Sequence, residues 1–262
     1  MALSHKVGSF VEPFSPRARL PNLPAIKGQY RVRLAEGSSD LVRSQKLRGL
    51  SFHGNAADPD MDPFDLVSDH LLVETLDCGA LVAACRLSFA EASAIQNGYS
   101  GQFYNLERLA NAACPGVELG RFCLHPEFRD PDILRLVWAA IAAYVDSHGA
   151  RILFGCSSFE GTDPAVYEAA FALLRQRHLA PPAMRPERRG IPVVEFSHQA
   201  PHDPGQALQH LPPLLRTYLS MGGWVSDHAV VDPEMNTIHV FTGVEVAAIP
   251  PARKRILRSI LN

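Results

Sequence analysis

The sequence predicts an α+β (mixed α/β) fold, and three observations predict it. Apolar segments of strand length are interleaved with helical stretches in the order strand, helix, loop, antiparallel strands, helix, strand, helix, strand. Two apolar runs, residues 70–76 and 80–89, are separated by Asp77-Cys78-Gly79, which is hairpin spacing. The helical stretch 131–147 opens on Pro131 and stops before Gly149, the asymmetry of a capped helix.

Residues 1–28 are rich in Pro and Arg, have no clear apolar period, and read as a flexible arm. Tyr30, Val32 and Leu34 then alternate with Arg31 and Arg33, the period of a short strand. Ser38 and Ser39 are candidate caps for a helix over residues 40–50, where Leu41, Val42, Leu47 and Leu50 form an apolar stripe. A Pro/Asp-rich loop, 53–65, leads into the hairpin. After a less regular stretch, residues 117–124 read as a strand, 131–147 as a helix, 151–159 as a buried strand, 164–177 as a second helix and 191–196 as a further strand. Beyond these lie a short helix (212–221), strands over 224–231 and 238–246, and a basic last helix. The expected organisation is an arm (1–28), a core (29–200) and a C-terminal extension (201–262) packing on that core.

Composition narrows the function classes. A 47% hydrophobic chain of 262 residues can bury a sizeable core. The formal net charge of -2 lacks the basic excess of a nucleic-acid binder. No run approaches the roughly 20 apolar residues that span a bilayer. Pro13, Pro16, Pro21 and Pro24 interrupt the segment where a signal peptide would be apolar, so a cytoplasmic location is expected. Cys78, Cys85, Cys114, Cys123 and Cys156 make no C-x-x-C pair, which reads as reduced thiols and no metal site. P-loop, dinucleotide and serine-hydrolase signatures are absent.

The densest acidic cluster is Asp58-Pro-Asp60-Met-Asp62-Pro-Phe-Asp65-Leu-Val-Ser-Asp69. A calcium loop is disfavoured, because Pro63 stands where an EF-hand needs Gly and Asp69 replaces the closing Glu. Asp58 and Asp60 read as solvated turn residues. Asp62 and Asp65 divide evenly between turn formers and a carboxylate pair that would bind a diamino acid. Glu118 and Arg121 are charges in an otherwise apolar strand, and residues three apart converge on one face only across a β-bulge, which Gly120 would permit. A mutual ion pair or an edge strand is the plainer alternative. Arg48 reads as a cation at a helix C-terminus. Arg86 lies in an apolar run and needs a carboxylate partner, with Asp62 and Asp65 the candidates. Cys123 reads as a small core residue without catalytic duty.

The stretch Glu118-Leu-Gly-Arg-Phe-Cys-Leu-His-Pro-Glu-Phe-Arg-Asp130, then Gly155-Cys-Ser-Ser-Phe-Glu-Gly-Thr-Asp163, Pro212-Pro-Leu-Leu-Arg-Thr-Tyr218 and Asp232-Pro-Glu-Met-Asn-Thr237, resembles the L-ornithine N-alpha-acyltransferases that make lyso-ornithine lipid. The resemblance runs from about residue 30 to 246. Arg48-x-x-x-Phe52, Asp62-x-x-Asp65, Arg86 and Glu118-x-x-Arg121 are also similar to a charged set in the autoinducer synthases. Both resemblances imply a GNAT-like acyltransferase fold whose mixed central sheet is splayed at the pantetheine site. The usual GNAT phosphate loop is missing, since residues 125–132 contain no Gly. That departure favours a carrier-protein donor, whose acyl-phosphopantetheine has no pyrophosphate to bind, over a CoA thioester.

The function implied is transfer of a 3-hydroxyacyl group from acyl carrier protein to the α-amine of L-ornithine, without a further cofactor. An α-amine, with a pKa of about 7.7–8.0, deprotonates more readily than a side-chain amine at roughly 10.4. Glu118 is the candidate base, directly or through water, with Arg121 and Arg86 ordering the acidic residues around it. Arg48, Phe52, Asp62, Asp65 and Arg86 are expected at the acceptor, and Cys123, Leu124, Ser157 and Ser158 along the acyl and pantetheine path. Arg175, Arg177, Arg185, Arg188 and Arg189 are the basic surface expected to meet an acidic carrier protein, or a solvated loop. The last helix pairs a basic face with Ile256, Leu257, Ile260 and Leu261, which suits packing on the domain or peripheral contact with an anionic membrane. Rival functions are an acyl-homoserine-lactone synthase using S-adenosylmethionine and a non-catalytic acyl-carrier or lipid-binding module, the latter disfavoured by so many inward charges.

Overall fold

The computed structural model describes residues 20, 22–112, 114–197 and 204–261. In chain order the elements are β1 (Ala25–Lys27), β2 (Tyr30–Leu34), α1 (Ser38–His53), β3 (Asp69–Thr75), β4 (Leu81–Ala90), β5 (Tyr104–Asn105), α2 (Glu107–Asn111), β6 (Gly116–Leu124), α3 (Pro131–Ser147) and β7 (Ile152–Glu160). Then follow α4 (Glu168–Arg177), β8 (Glu187–Arg188), β9 (Val193–Glu195), α5 (Pro204–Gln209), α6 (Pro213–Ser220), β10 (Trp224–Asp232), β11 (Thr237–Glu245) and α7 (Pro251–Ser259). Among the described residues nine strands form one sheet in the order β1-β2-β3-β4-β6-β7-β11-β10-β9, and β5 and β8 make a separate pair.

Every neighbouring pair in the large sheet is antiparallel except β6 and β7, which run parallel with α3 as their crossover. That pairing covers Gly116–Ile152, Val117–Leu153 and Glu118–Phe154 only. Beyond it, β6 stays bonded to β4 and β7 to β11, so two well-held strands diverge and open a cleft within the sheet. Gly155 stands where the strands part: a Cβ there would collide with the Leu119 carbonyl oxygen.

One face of the sheet carries the largest core, in which Leu87, Val117, Leu119 and Leu153 pack against Ile133, Leu136 and Tyr144 of α3. On the same face, Phe159 and Val240 pack with Phe171 and Leu174 of α4 and Leu215 of α6. The opposite face is covered by α1 over Leu72, Ala84 and Cys123, and by the 92–111 segment, whose Ile95 and Tyr104 pack on Phe154 and Phe241. That second face holds the charged residues.

Several expectations are corrected. The arm's residues 1–19 and 21 lie outside the described residues, but Leu20 is buried and Ala25–Lys27 pairs with β2. The helix expected to end at residue 50 continues to His53. Its N-cap is Gly37 with no side-chain cap, and Asp40 instead accepts from the Glu36 N–H at 3.1 Å. The expected extension supplies two strands of the central sheet, with β11 bonded to β7 along all of β7's length. Hydrophobic pattern identifies strands, but not which strand a late segment joins. Among the described residues no helix is long and apolar enough to cross a membrane. In α7, Leu257 packs against the main core, as do Ile260 and Leu261 just beyond it. Arg258 binds Asp146 at 3.0 Å, and Ile256 faces outward.

Gly155→Ala is expected to lose about 1–3 kcal/mol of stability, because the added methyl has nowhere to go against a backbone oxygen. Urea denaturation measures it, and an unchanged midpoint would mean the strands part with less crowding than described.

Candidate active site

The acidic loop folds through its own side chains. Asp62 caps the 3₁₀ turn Pro63–Val67, accepting from the Phe64 N–H at 2.8 Å, while Asp65 accepts from the Asp62 N–H at 3.3 Å. This reciprocal box with Pro at the first position turns the carboxylates inward. Arg48 of α1 meets them. Its guanidinium binds both oxygens of Asp65 at 2.7 Å, lies 2.8 Å from Asp60 Oδ2, and donates to the Asp60 carbonyl. Gln45, one turn earlier, adds a bond to Asp65 at 3.0 Å.

From the sheet, Arg86 donates to Asp62 at 2.5 Å and to Asp65 at 2.9 Å. Arg121 lies 3.0 Å from both Asp60 and Asp62. Three arginines and three aspartates thus form one network that ties α1, the loop, β4 and β6 together. Arg48 is fully buried, and only the Arg121 and Asp62 side chains, 12% and 13% exposed, reach its surface. Burial pushes the Asp65 carboxyl upward, but the bonds and charge of Arg48, with Gln45 and Arg86, outweigh it and hold the group well below the usual range.

Arg121 owes its place to an irregular backbone. Between β4 and β6 the register shifts from Ala84–Cys123 to Arg86–Gly120, so β6 carries one extra residue, and Arg121 sits in the left-handed region at φ 51. The bulge is where the spacing calls for one, but the left-handed residue is Arg121, not Gly120. Arg121 lies over the Tyr99 ring at 4.9 Å, and Arg86 over Phe64 and Tyr99 at 5.6 Å each. Burial, partly countered by Arg121, pushes the Tyr99 phenol up to about 12.

Glu118 occupies the last paired position before the cleft. Its carboxylate accepts from the Tyr99 N–H at 2.9 Å and the Ser100 N–H at 2.6 Å. A Cβ at Gly98 would strike its Oε2, so glycine is what lets this loop close on the carboxylate. Glu118 and Arg121 do not pair with each other; they converge on Tyr99, one through its amide and the other through its ring.

The structure therefore brings Arg48, Asp62, Asp65, Arg86, Glu118 and Arg121 together, with corrected roles. Arg48 is not a helix cap but the centre of the buried network. Asp65 is sealed beneath Arg48 and Arg86, and Asp62 spends its oxygens on Arg86 and Arg121, so neither is an open carboxylate for a ligand's cation. Asp60, expected in solvent, is buried. Phe52 and Cys123 pack in the small core under α1, and burial pushes the Cys123 thiol up to about 12. Leu124 packs on the opposite face, in the main core. Ser157 is buried, accepting from Thr242 at 2.9 Å, and alternation leaves Ser158, exposed, on the face of the charged network. Of the arginines expected at a carrier protein, Arg188 is engaged by Glu195 at 2.6 Å and Arg185 by the Ala180 carbonyl at 3.0 Å. The sequence reading missed Gln45, Asp60, Tyr99 and Ser100. Asp60 shares the alternate spacing of Asp62 and was open to detection; Tyr99 and Ser100 sit in an irregular stretch without periodic signal.

Residues 46–139 match the acetyltransferase (GNAT) domain family. An L-ornithine N(alpha)-acyltransferase of Rhodobacter capsulatus is 34% identical over 84% of this chain and 91% of its own length. One of Agrobacterium fabrum is 32% identical over 72% of this chain and 68% of its own. Among solved structures, FeeM, an N-acyl amino acid synthase from uncultured soil microbes, aligns with a TM-score of 0.50 at 8% identity, over 84% of this chain and 94% of that one, and so shares the fold.

Asp65→Asn is expected to cost about 3–5 kcal/mol at pH 7, since it leaves the three buried arginines of the network with only two carboxylates, Asp60 and Asp62. Because the folded Asp65 titrates below its unfolded value of about 3.9, its stabilisation is complete above that pH and fades as pH falls further. Urea denaturation at pH 7 and pH 3.5 should show the gap between wild type and variant narrowing with acid; a constant gap would remove the charge from the explanation.

Proposed function

This chain belongs to the L-ornithine N(alpha)-acyltransferase family and is an acyltransferase, and on that premise we propose that it transfers a 3-hydroxyacyl group from acyl carrier protein to the α-amine of L-ornithine. The observation that carries this proposal is the cleft between β6 and β7, which begins at Glu118 beside the exposed edge of the arginine–aspartate network. A thioester on a phosphopantetheine arm is thin enough to lie between diverging strands. Its carbonyl would then face main-chain N–H groups of β6 beyond Glu118, which are free of strand partners on that side.

In this mechanism the neutral α-amine attacks the thioester carbon, the C–N bond forms, and the C–S bond breaks as the thiolate leaves. Glu118 takes the amine's proton, directly or through one water, and the proton passes to the departing sulfur. The two main-chain N–H bonds to Glu118 fix its carboxylate while leaving it further lone pairs. Arg121, held by Asp60 and Asp62 and stacked on Tyr99, is the cation at the surface of the network and would take the acceptor's α-carboxylate. Asp60, Asp65, Arg48 and Arg86 hold it in place.

A carrier-protein donor is supported by the start of α3. Asp130 caps that helix, accepting from the Asp132 N–H at 2.9 Å, so carboxylates occupy the place where a pyrophosphate would meet helix amides. Peripheral contact with an anionic membrane would use the outward face of α7, where Arg255 and Ile256 are exposed.

Mass spectrometry of products tests the whole proposal, with 3-hydroxyacyl carrier protein or the matching acyl-CoA as donor and ornithine or S-adenosylmethionine as acceptor. The expected product is Nα-acyl-ornithine, formed at least about tenfold faster from the carrier protein, with Glu118→Gln slower by about 10²–10⁴-fold. A homoserine lactone would move the chain to the signalling enzymes, equal use of CoA would remove the donor assignment, and a fully active Glu118→Gln would remove the base.

A further inference from the structure

The mechanism leaves unused a polar group at the far side of the cleft. Asp232 ends β10 opposite Thr237, within the motif Asp232-Pro-Glu-Met-Asn-Thr237. His239 of β11 lies between Val230 and Ser158 in the register, a diagonal neighbour of Asp232 on the same face. Both are buried, to 7% and 2% exposure. The Tyr104 hydroxyl donates to the His239 carbonyl at 2.9 Å and lies 3.2 Å from its Nδ1. The shorter bond assigns the phenol proton to the carbonyl, and on that assignment Nδ1 carries the imidazole hydrogen and Nε2 is a bare lone pair. That Nε2 has no hydrogen-bond partner among the described residues. Burial pushes His239 down to about 4, so the ring is neutral at pH 7 and accepts there.

Aromatic rings connect this group to the catalytic side. Phe103 packs edge-on against His239 at 4.7 Å, Tyr99 lies 5.3 Å from Phe103, and Arg121 covers Tyr99. Along this face of the sheet, then, stand a carboxylate, an unsatisfied acceptor and two aromatic rings, none of which supplies a charge-matched donor to the others. A primary ammonium complements all of them, since it brings three N–H donors, a positive charge and affinity for ring faces.

Resting on the ornithine assignment, we propose that Asp232, His239 and Phe103 form the subsite for the terminal ammonium of a diamino-acid acceptor, opposite the carboxylate-binding Arg121. The subsite gives the enzyme two kinds of selectivity. It favours acceptors with a second cation, and it keeps the terminal amine protonated and away from the thioester, so the α-amine alone reacts. The plainer role for Asp232 is to shape the hairpin, because its Oδ1 accepts from the Met235 N–H at 3.1 Å. Asp232→Asn separates the two roles, for the amide oxygen can keep the turn bond while the charge is lost.

The experiment measures kcat/KM for ornithine and for norvaline, the same five-carbon amino acid without the terminal amine, under saturating acyl carrier protein substrate. Wild type is expected to favour ornithine at least about tenfold, and Asp232→Asn to lose about tenfold or more on ornithine, chiefly in KM, with norvaline changed by less than about threefold. A parallel fall with both acceptors would show a structural role and overturn the proposal, as would an unchanged preference. Phe103→Leu, at a half-buried position, is the second probe should Asp232→Asn unfold: a selective loss on ornithine supports the subsite, and an unchanged ornithine-to-norvaline ratio overturns it. A wild type that acylates neither amino acid would refute the ornithine assignment itself, whereas ornithine turnover with the preference intact in the variants refutes only the subsite.

Discussion

Arg48 and Asp65 face each other through two parallel hydrogen bonds of 2.7 Å in a part of the protein almost without solvent. Neither charge would survive there alone, because removing an unpaired ion from water costs several kcal/mol. The constraint propagates outward. Asp65 can be buried only if Arg48 and Arg86 both reach it, which fixes α1 against β4. Asp62 then fits between Arg86 and Arg121, which fixes the loop against β6. The position of Arg121 at the cleft is therefore set by the buried charges beneath it.

The cleft has a separate cause. A sheet that is otherwise antiparallel contains one parallel pair, β6–β7, and parallel pairing needs a crossover helix. α3 fills that role and fills the core beneath the strands, while β4 and β11 hold the outer edges of the pair. Each strand therefore keeps its main-chain bonds on one side while releasing the other, and the opening persists without unsatisfying the whole ladder. Glu118 sits at the last bonded position, where the backbone is still rigid. A carboxylate on a rigid strand, pinned by two loop amides, suits a reaction that depends on placing an amine against a thioester.

Charges on the two sides of the cleft are handled differently. On the Arg121 side each aspartate of the network is matched by a guanidinium and Glu118 by two main-chain amides, leaving one cation at the surface. Across the aromatic rings of Tyr99 and Phe103, Asp232 and the neutral His239 offer acceptors. An acceptor amino acid with a carboxylate at one end and an ammonium at the other would bridge this polarity, with its α-amine held between. The 92–111 segment makes this arrangement possible, since it supplies both rings and both amides that hold Glu118.

Much of this was legible in the sequence. Alternation gave β2 its boundaries, and the Pro131 and Gly149 signals bounded α3, because these are local choices that the backbone makes from its own side chains. Arg86 in an apolar run called for a carboxylate, and Glu118 and Arg121 could share one face only across a bulge, because buried charge and strand parity are rules a sequence alone can invoke. Which partners met was decided by tertiary structure. Asp60 looked like a solvated turn and is buried, since only the folded loop brings Arg48 and Arg121 to it. Tyr99 and Ser100 carried no periodic signal, yet their amides hold Glu118. Phe52 and Cys123, adjacent in motif to charged residues, turn away into the core under α1, because a helix face and a strand face are assigned by packing and not by neighbours in the chain. Asp232 and His239 lie seven residues apart and become neighbours only through the register of β10 and β11, a long-range property that the local pattern does not encode.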